Sequence, residues 1–120
     1  MHKKASELRW EVQSKLKGGK GDINFLHVVE PGELHGTARQ WGLSVIPVGC
    51  SIGQHTHTGD FEVYYFLKGK GLLNDNGEIL EVGPGDMMMC NDGDYHALEN
   101  IGDEDLEYIA VIAYSETHKE

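Results

Sequence analysis

The sequence has few cysteines, few basic residues and no long apolar run, and each shortage excludes a class of protein. Its two cysteines, Cys50 and Cys90, are too few and too far apart for a disulfide-stabilised scaffold, so we expect both to be reduced. No uninterrupted apolar run approaches the roughly 20 residues of a membrane-spanning helix, so we expect no membrane partner. No apolar stretch follows the basic residues at the amino terminus, as a secretory signal would require, and we therefore expect a cytoplasmic protein.

Basic residues are outnumbered by acidic ones. Lys and Arg together number ten against twenty Asp and Glu, which gives a formal net charge of -10. A chain of this charge repels the phosphate backbone that dominates affinity for nucleic acids. We therefore expect no nucleic-acid partner.

The length of the chain, 120 residues and 13.3 kDa, fits one domain. We divide it into an amino-terminal arm, residues 1–22, and a β-barrel domain, residues 23–115. Within the arm, Ser6 could cap a helix over residues 7–16 that the glycine-rich residues 18–21 would end. An extended arm is equally compatible with the sequence.

Glycine, in contrast, is abundant. Sixteen glycines separate short runs of β-branched and aromatic residues, which is typical of strands and turns. An Asn76-Gly77 step predicts a tight hairpin, because it tolerates the positive backbone angles that such a turn needs. The predicted strands cover residues 24–29, 40–48, 61–67, 72–73, 79–80, 87–90, 96–100 and 106–114. About eight short strands without intervening helices predict an all-β sandwich or barrel.

A group of histidines and one glutamate has the spacing of a metal site. Side chains two residues apart on a strand share a face, so His55 and His57 can point at one ion. A turn over residues 58–60 would return Glu62 to the same place, and His96 is the candidate for a fourth ligand. Imidazole and carboxylate together suit Mn, Fe, Co, Ni or Zn. For the His-x-His pair alone, two solvent-facing side chains are the alternative interpretation.

The spacing of these residues resembles a family motif. Gly49, five residues, His55, one residue, His57, four residues, Glu62, six residues and Gly69 match the first motif of the cupin superfamily at every defining position. The amino-terminal half of the motif region therefore resembles that superfamily.

The carboxyl-terminal half resembles the second cupin motif. Gly85, seven residues, Gly93, two residues, His96, three residues and Asn100 follow its spacing, whereas Asn91 stands where the family usually has proline. This departure alters a turn residue and none of the metal ligands.

The resemblance implies a double-stranded β-helix, the cupin jelly-roll barrel, as a single domain with an amino-terminal arm. It also implies one divalent transition metal per chain, with Mn or Fe favoured over Zn, Ni or Co, held by His55, His57, Glu62 and His96. With one copy of each motif, the chain resembles the small bacterial monocupins. Proteins of this kind are often labelled oxalate decarboxylase-like.

The function that the resemblance implies is a mononuclear metal-dependent enzyme, a lyase, dioxygenase or isomerase, acting on a small carboxylate or a keto or hydroxy acid. Oxalate is the specific hypothesis. The alternative is a non-catalytic, metal-dependent module that binds a small anion or sugar. Turnover of the bound molecule distinguishes the two.

Further candidate site residues follow from strand alternation and charge. Tyr64 shares a face with Glu62, so its hydroxyl could meet the substrate as a catalytic group, with core filling as the alternative. Arg39 is a candidate to bind an anionic substrate, although a solvated strand end is the alternative. Trp41 is a second candidate for substrate binding. His27 and His35 have no partner spacing, so we expect them to be surface or hydrogen-bonded core histidines, with donation of a hydrogen bond at the mouth of the barrel as the alternative.

The strand over residues 61–67 is apolar on both faces. The face away from Glu62 carries Phe61, Val63, Tyr65 and Leu67, where a one-sided sheet would show polar residues. The amino-terminal arm, a second subunit or both could cover this face, and we therefore predict a homodimer. Packing against the margin of the second sheet is the alternative.

Overall fold

The computed structural model describes residues 1–116, which form two antiparallel β-sheets. Ten strands make up the described part of the chain: β1 Arg9–Ser14, β2 Asp22–Val29, β3 Ala38–Ile46, β4 Ser51–Thr56, β5 Asp60–Lys68, β6 Gly71–Asp75, β7 Glu78–Val82, β8 Met87–Cys90, β9 Tyr95–Asn100 and β10 Leu106–Tyr114. Three short 3₁₀ helices accompany them: Ala5–Glu7, Leu16–Gly18 and Pro31–Glu33. Within residues 1–116 no helix is long and apolar enough to span a bilayer.

The strands alternate between the two sheets in a jelly-roll arrangement. One sheet has the order β1-β2-β3-β10-β5-β8 and the other the order β4-β9-β6-β7. The chain therefore changes sheet between β3 and β4, again between β4 and β5, and at most later connections. This winding confirms the all-β, double-stranded β-helix prediction and places β4, β5 and β9, which belong to different sheets, around one interior.

The core lies between the inner faces of the two sheets. Because successive side chains of a strand point to opposite faces, each inner strand contributes every second residue. The long strand β10 shows this alternation, with Leu106, Tyr108, Ala110 and Ile112 all buried. Other members of the core are Ile23, Phe25, Ile46, Ile52, Tyr64, Phe66, Leu73 and Leu98.

The middle of the amino-terminal arm is a strand that lies between two short 3₁₀ helices. Residues 9–14 form β1, which pairs antiparallel with β2 and places Trp10 opposite Leu26. Glu11 and Gln13 face the interior, whereas Trp10 and Val12 face outward. Of the two alternatives left open by the sequence, the strand is therefore the one that forms. The backbone groups of β1 form hydrogen bonds with the edge of β2. A short isolated helix would have to pair its backbone groups within itself, which is only marginally stable in water.

The strands predicted from glycine punctuation are all present. The Asn76-Gly77 step joins β6 to β7, and its φ angles of 53° and 94° are both positive, as a type I′ hairpin turn requires. The sequence-based set did not include β1 or treat β4 as a separate strand. The structure thus has ten strands where the sequence predicts about eight.

Gly42 provides a test of the packing between β2 and β3. A Cβ atom at this position would overlap the carbonyl oxygen of Leu26 and the ring of Phe25. We expect Gly42→Ala to lower the free energy of unfolding by about 3 kcal/mol, because neither the backbone nor the buried ring can move away. Chemical denaturation of purified protein measures this. The control is Gly32→Ala, where the space around the Cβ is open, and equal midpoints for the two variants would contradict the packing described here.

Candidate metal centre

Four side chains converge between the sheets, and strand register explains how. His55 in β4 lies directly opposite His96 in β9, so both point to the same face of the smaller sheet. His57 follows the end of β4, and the chain then turns through Gly59, whose φ of 80° suits glycine. Glu62 on β5 faces inward from the larger sheet. The structure thus brings together all four residues that the sequence predicts as ligands.

The ligand atoms of this cluster lie very close to one another. Nε2 of His96 is 3.1 Å from Nε2 of His55, 3.2 Å from Nε2 of His57 and 3.1 Å from Oε1 of Glu62. Nε2 of His57 is also 3.1 Å from the same carboxylate oxygen. His57, Glu62 and His96 are each less than 5% exposed.

The chemistry of the donor set fits a divalent cation. A single hydrogen on Nε2 of His96 could serve only one of its three close neighbours, two of which are imidazole nitrogens. Converging lone pairs are stable when a cation lies between them. Adjacent ligands of an octahedral ion with bonds of about 2.2 Å are about 3.1 Å apart, which agrees with the separations in the cluster.

The outer nitrogens of the histidines are held by hydrogen bonds that direct Nε2 inward. Nδ1 of His57 donates to Oδ1 of Asp60 at 2.7 Å, and Nδ1 of His55 donates to the carbonyl of Gly53 at 2.8 Å. Such bonds select the tautomer whose Nε2 lone pair is free for a metal. Nδ1 of His96 lies 3.4 Å from the sulfur of Met88.

A second layer of contacts holds the carboxylates. Nε2 of Gln40 donates to Oε2 of Glu62 at 3.2 Å, and Nε of Arg39 donates to Oδ2 of Asp60 at 2.9 Å. Sequence reasoning missed Asp60, Gln40 and the carbonyl of Gly53. The only sequence signal for Asp60 is a carboxylate three residues after His57, whereas Gln40 reaches the site through tertiary pairing.

The protonation states of the cluster follow from burial and these contacts. Burial acts to raise the pKa of Glu62, but hydrogen bonds with His57 and His96 outweigh it and hold the pKa at about 2. Burial acts to lower the pKa of His57, but contacts with Glu62 and Asp60 outweigh it, so this pKa is raised. Burial lowers the pKa of His55. At neutral pH the site therefore offers an ionised carboxylate and a neutral His55.

Three members of the cluster, His55, His57 and Glu62, line a cavity of about 350 Å³, and His96 lies behind them. Other polar residues that line it are Gln13, Lys17, Arg39, Gln40, Ser44, Thr56, Thr58 and Asp60. Tyr64 and Tyr108 contribute aromatic walls. Its volume lies at the lower end of the range for small-molecule sites.

The remaining candidate residues occupy different places. Tyr64 lines the cavity and stacks on His96, with ring centroids 5.3 Å apart, and burial raises its pKa well above the usual value. Arg39 lines the cavity beside Asp60. Trp41 lies on the opposite face of β3 from Gln40 and does not line the cavity, whereas Arg39 lies at the register shift between β3 and β10, where simple alternation does not hold.

Two further histidines are placed away from the cluster. Nε2 of His27 lies 2.8 Å from Oε1 of Glu11, within the pairing of β1 with β2. His35 is exposed in the connection between β2 and β3, with a φ of 55°. Neither lines the cavity.

Comparison with known proteins gives concordant matches. A family model described as a cupin domain matches residues 42–112. An oxalate-binding protein of Thermotoga maritima is 38% identical over 109 residues, which cover 91% of this chain and 90% of that protein. An uncharacterised protein of Methanocaldococcus jannaschii is 30% identical over 82 residues, covering 68% of this chain and 66% of its own.

Solved structures agree with this result. The crystal structure of a predicted oxalate decarboxylase from Thermotoga maritima superposes with a TM-score of 0.90 at 37% identity, and the match covers 96% of this chain and 100% of that one. The cupin domain of Schizosaccharomyces pombe Cnp3 superposes with a TM-score of 0.72 at 15% identity, covering 81% of this chain and 64% of that one, and so shares the fold.

Asp60 provides a test of how the metal ligands are oriented. It accepts hydrogen bonds from both His57 and Arg39, and an asparagine would present an NH₂ group to one of these donors. We expect Asp60→Asn to weaken metal affinity about 10- to 100-fold. Elemental analysis should find about one divalent ion per chain in the wild-type protein and none in His96→Ala, and competition with a chelator measures the affinity.

The matched control for this experiment is Asp103→Asn, which changes an exposed carboxylate in the connection between β9 and β10. Its metal affinity should equal that of the wild-type protein. Equal affinities for all three proteins would show that Asp60 does not orient His57 for metal binding.

Proposed function

The chain belongs to the cupin domain family, and from that premise we propose that it binds a small carboxylate at one divalent metal ion. His55, His57, Glu62 and His96 would hold the ion. The observation that carries the proposal is the convergence of their four ligand atoms beside a cavity that His55, His57, Glu62 and Arg39 line. Oxalate is the ligand we propose, since the relative of 38% identity is named an oxalate-binding protein.

The charges that line the cavity favour an anionic ligand. Arg39 and Lys17 both line it, and the two carboxylates that also line it, Asp60 and Glu62, are paired with Arg39 and with the histidines. Arg39 uses its Nε hydrogen for Asp60, and its side chain remains 47% exposed. A guanidinium fork in this position can pair with a carboxylate through two parallel hydrogen bonds.

The ion that we favour is Mn or Fe. Three imidazole nitrogens and one carboxylate oxygen form a mixed donor set of the kind that these ions accept. When bound, such an ion acts as a Lewis acid that can take two oxygens of a carboxylate, keto or hydroxy acid and stabilise negative charge on them.

A second candidate function is metal-dependent catalysis on the bound acid, as a lyase, dioxygenase or isomerase. The observation that favours it is Tyr64, which lines the cavity and stacks on the metal-ligand candidate His96. Because burial raises its pKa, this phenol stays protonated at neutral pH and could donate a hydrogen bond or a proton to the reacting acid.

We also propose that the protein is a homodimer. The outer face of the larger sheet carries two adjacent rows of apolar side chains across its strands: Trp10, Leu26, Leu43, Ile109, Tyr65 and Met87 in the first row, and Trp41, Val111, Val63 and Met89 in the second. Trp10, Tyr65 and Met87 are each about half exposed or more in the single chain. A continuous apolar face of this kind is uncommon on monomers, and a second copy of the same sheet would cover it.

The two arginines of the chain provide a test of ligand binding. Arg39→Ala removes the guanidinium group from the cavity, whereas Arg9→Ala removes an exposed one that pairs with Glu30. Calorimetric titration of oxalate into Mn-loaded protein should give binding that Arg39→Ala weakens at least tenfold and Arg9→Ala leaves unchanged, because only Arg39 can meet the anion. Metal content is measured for each variant.

Absence of oxalate binding by the Mn-loaded wild-type protein would contradict the proposed ligand. Incubation of the same protein with oxalate under air, followed by assay of remaining oxalate, separates the two candidate functions. Unchanged oxalate supports the binding function, and its loss supports catalysis.

A charge on the outer face provides a test of the dimer. Light scattering should give the wild-type protein twice the chain mass of 13.3 kDa, and Tyr65→Glu should give the chain mass itself, because an ionised carboxylate is costly to bury in an apolar interface. The control is Ile79→Glu, which places the same charge at an exposed apolar site on β7 of the other sheet and should remain dimeric. A wild-type protein of single-chain mass would refute the homodimer.

A further inference from the structure

The three histidines of the cluster differ in the group that meets their outer nitrogen. Nδ1 of His57 donates to a carboxylate at 2.7 Å, and Nδ1 of His55 donates to a backbone carbonyl at 2.8 Å. The partner of Nδ1 of His96 is the sulfur of Met88, at 3.4 Å. A thioether is a weak acceptor, whereas the other two partners are oxygen atoms. The orientation of His96 therefore depends on a contact of a different kind.

Met88 is the inward-facing member of three consecutive methionines. β8 pairs with β5, which places Met88 directly opposite Tyr64 and Met89 opposite Val63. Met88 is 3% exposed, whereas Met87 and Met89 are both exposed on the outer face. The alternation of side chains along the strand therefore brings one sulfur of the three to the inside of the barrel, where it meets His96.

Two neighbours hold the ring of His96, and each fixes a different property. Tyr64 stacks on the face of the ring, with the ring planes at 25°. This stacking sets the plane of the ring, but it is preserved when the ring turns by half a rotation about its Cβ–Cγ bond. That rotation would replace Nδ1 by a carbon and carry Nε2 away from the other ligands. The contact with Met88 exists only in the orientation that directs Nε2 to the cluster.

The same contact selects the tautomer of His96. Because a thioether has no hydrogen to donate, the contact is a hydrogen bond only when the hydrogen of the ring is on Nδ1. Nε2 then carries the lone pair that a metal ion requires. His96 is buried, so an Nδ1 hydrogen without the sulfur would be a buried donor without an acceptor, which is costly.

We propose that Met88 is a positioning residue for the metal: its sulfur accepts the Nδ1 hydrogen of His96 and so holds Nε2 of that ring toward the ion. This inference rests on the metal site of the proposed function and extends it to a residue outside the ligand set. If Met88 only filled the core, any apolar side chain of similar volume would serve, and leucine is such a replacement.

The test replaces the sulfur by a group that cannot accept a hydrogen bond and by one that can. We expect Met88→Leu to weaken Zn²⁺ affinity about tenfold, the lower end of the effect of removing an outer partner of a metal-bound histidine, because a thioether is a weak acceptor. Met88→Gln offers an amide oxygen and should restore the affinity of the wild-type protein. Competition with a chelator measures these affinities, and thermal unfolding without metal shows which variants are folded.

The matched control is Met89→Leu, which makes the same exchange on the outer face of β8. Its Zn²⁺ affinity should equal that of the wild-type protein. A spectroscopic readout separates orientation from packing, because Zn²⁺ is diamagnetic and NMR can observe the Nδ1 proton of His96 in the loaded protein. This resonance should move downfield in Met88→Gln, where the acceptor is stronger, move upfield in Met88→Leu and stay unchanged in Met89→Leu.

The outcomes distinguish this inference from the proposed function. If the wild-type protein binds Zn²⁺ and Met88→Leu binds it as tightly, the role of Met88 is overturned and the metal site stands. Weaker binding by folded Met88→Gln than by Met88→Leu, or an unchanged Nδ1 proton in Met88→Leu, would overturn it as well. If Met88→Gln does not fold, Met88→Leu and its Nδ1 proton decide. A wild-type protein that binds no Zn²⁺ would overturn the metal site and, with it, the role of Met88.

Discussion

The structure depends on the burial of an ionised carboxylate among imidazole rings. Glu62 is almost completely removed from solvent, and an isolated carboxylate in such a place would take up a proton. Contacts with His57, His96 and Gln40 keep it ionised. These contacts require β5 and β9, which lie in different sheets, to face one another at a fixed separation, so the geometry of the barrel and the charge of the site support each other.

The same constraint explains how an acidic protein could offer a site for the anion that we propose as its ligand. Asp60 and Glu62 are the carboxylates on the cavity wall, and both are engaged, one with His57 and Arg39 and the other with the histidine cluster. Their charge is therefore balanced locally. The net charge of -10 resides largely on solvated surfaces, where salt screens it. An approaching carboxylate meets Arg39, Lys17 and neutral hydroxyl groups inside the cavity instead.

Much of the fold and of the site could be predicted from the sequence, because both rest on short-range patterns. The Asn76-Gly77 turn and the glycine-bounded strands are local signals, and the structure confirms them. The spacing of His55, His57 and Glu62 reflects one strand, one turn and the next strand. The amino-terminal arm was less determined, since residues 7–16 are compatible with a helix or a strand until the edge of β2 is available to pair with them. Asp60 and Gln40 were missed because their roles depend on contacts between strands.

The sequence by itself determined the four residues of the histidine and glutamate cluster, the alternation of faces along each strand and the excess of negative charge. These follow from residue identity and from the period of two in a strand, which operate over a few residues. Only the tertiary structure decided which face is inward, and so placed Gln40 and Ser44 in the cavity and Trp41 outside it. It also decided that Tyr108 is buried opposite Ser44 and against the ring of Tyr64. The physical reason is that register between distant strands is set by the packing of the whole barrel, which no short stretch of sequence contains.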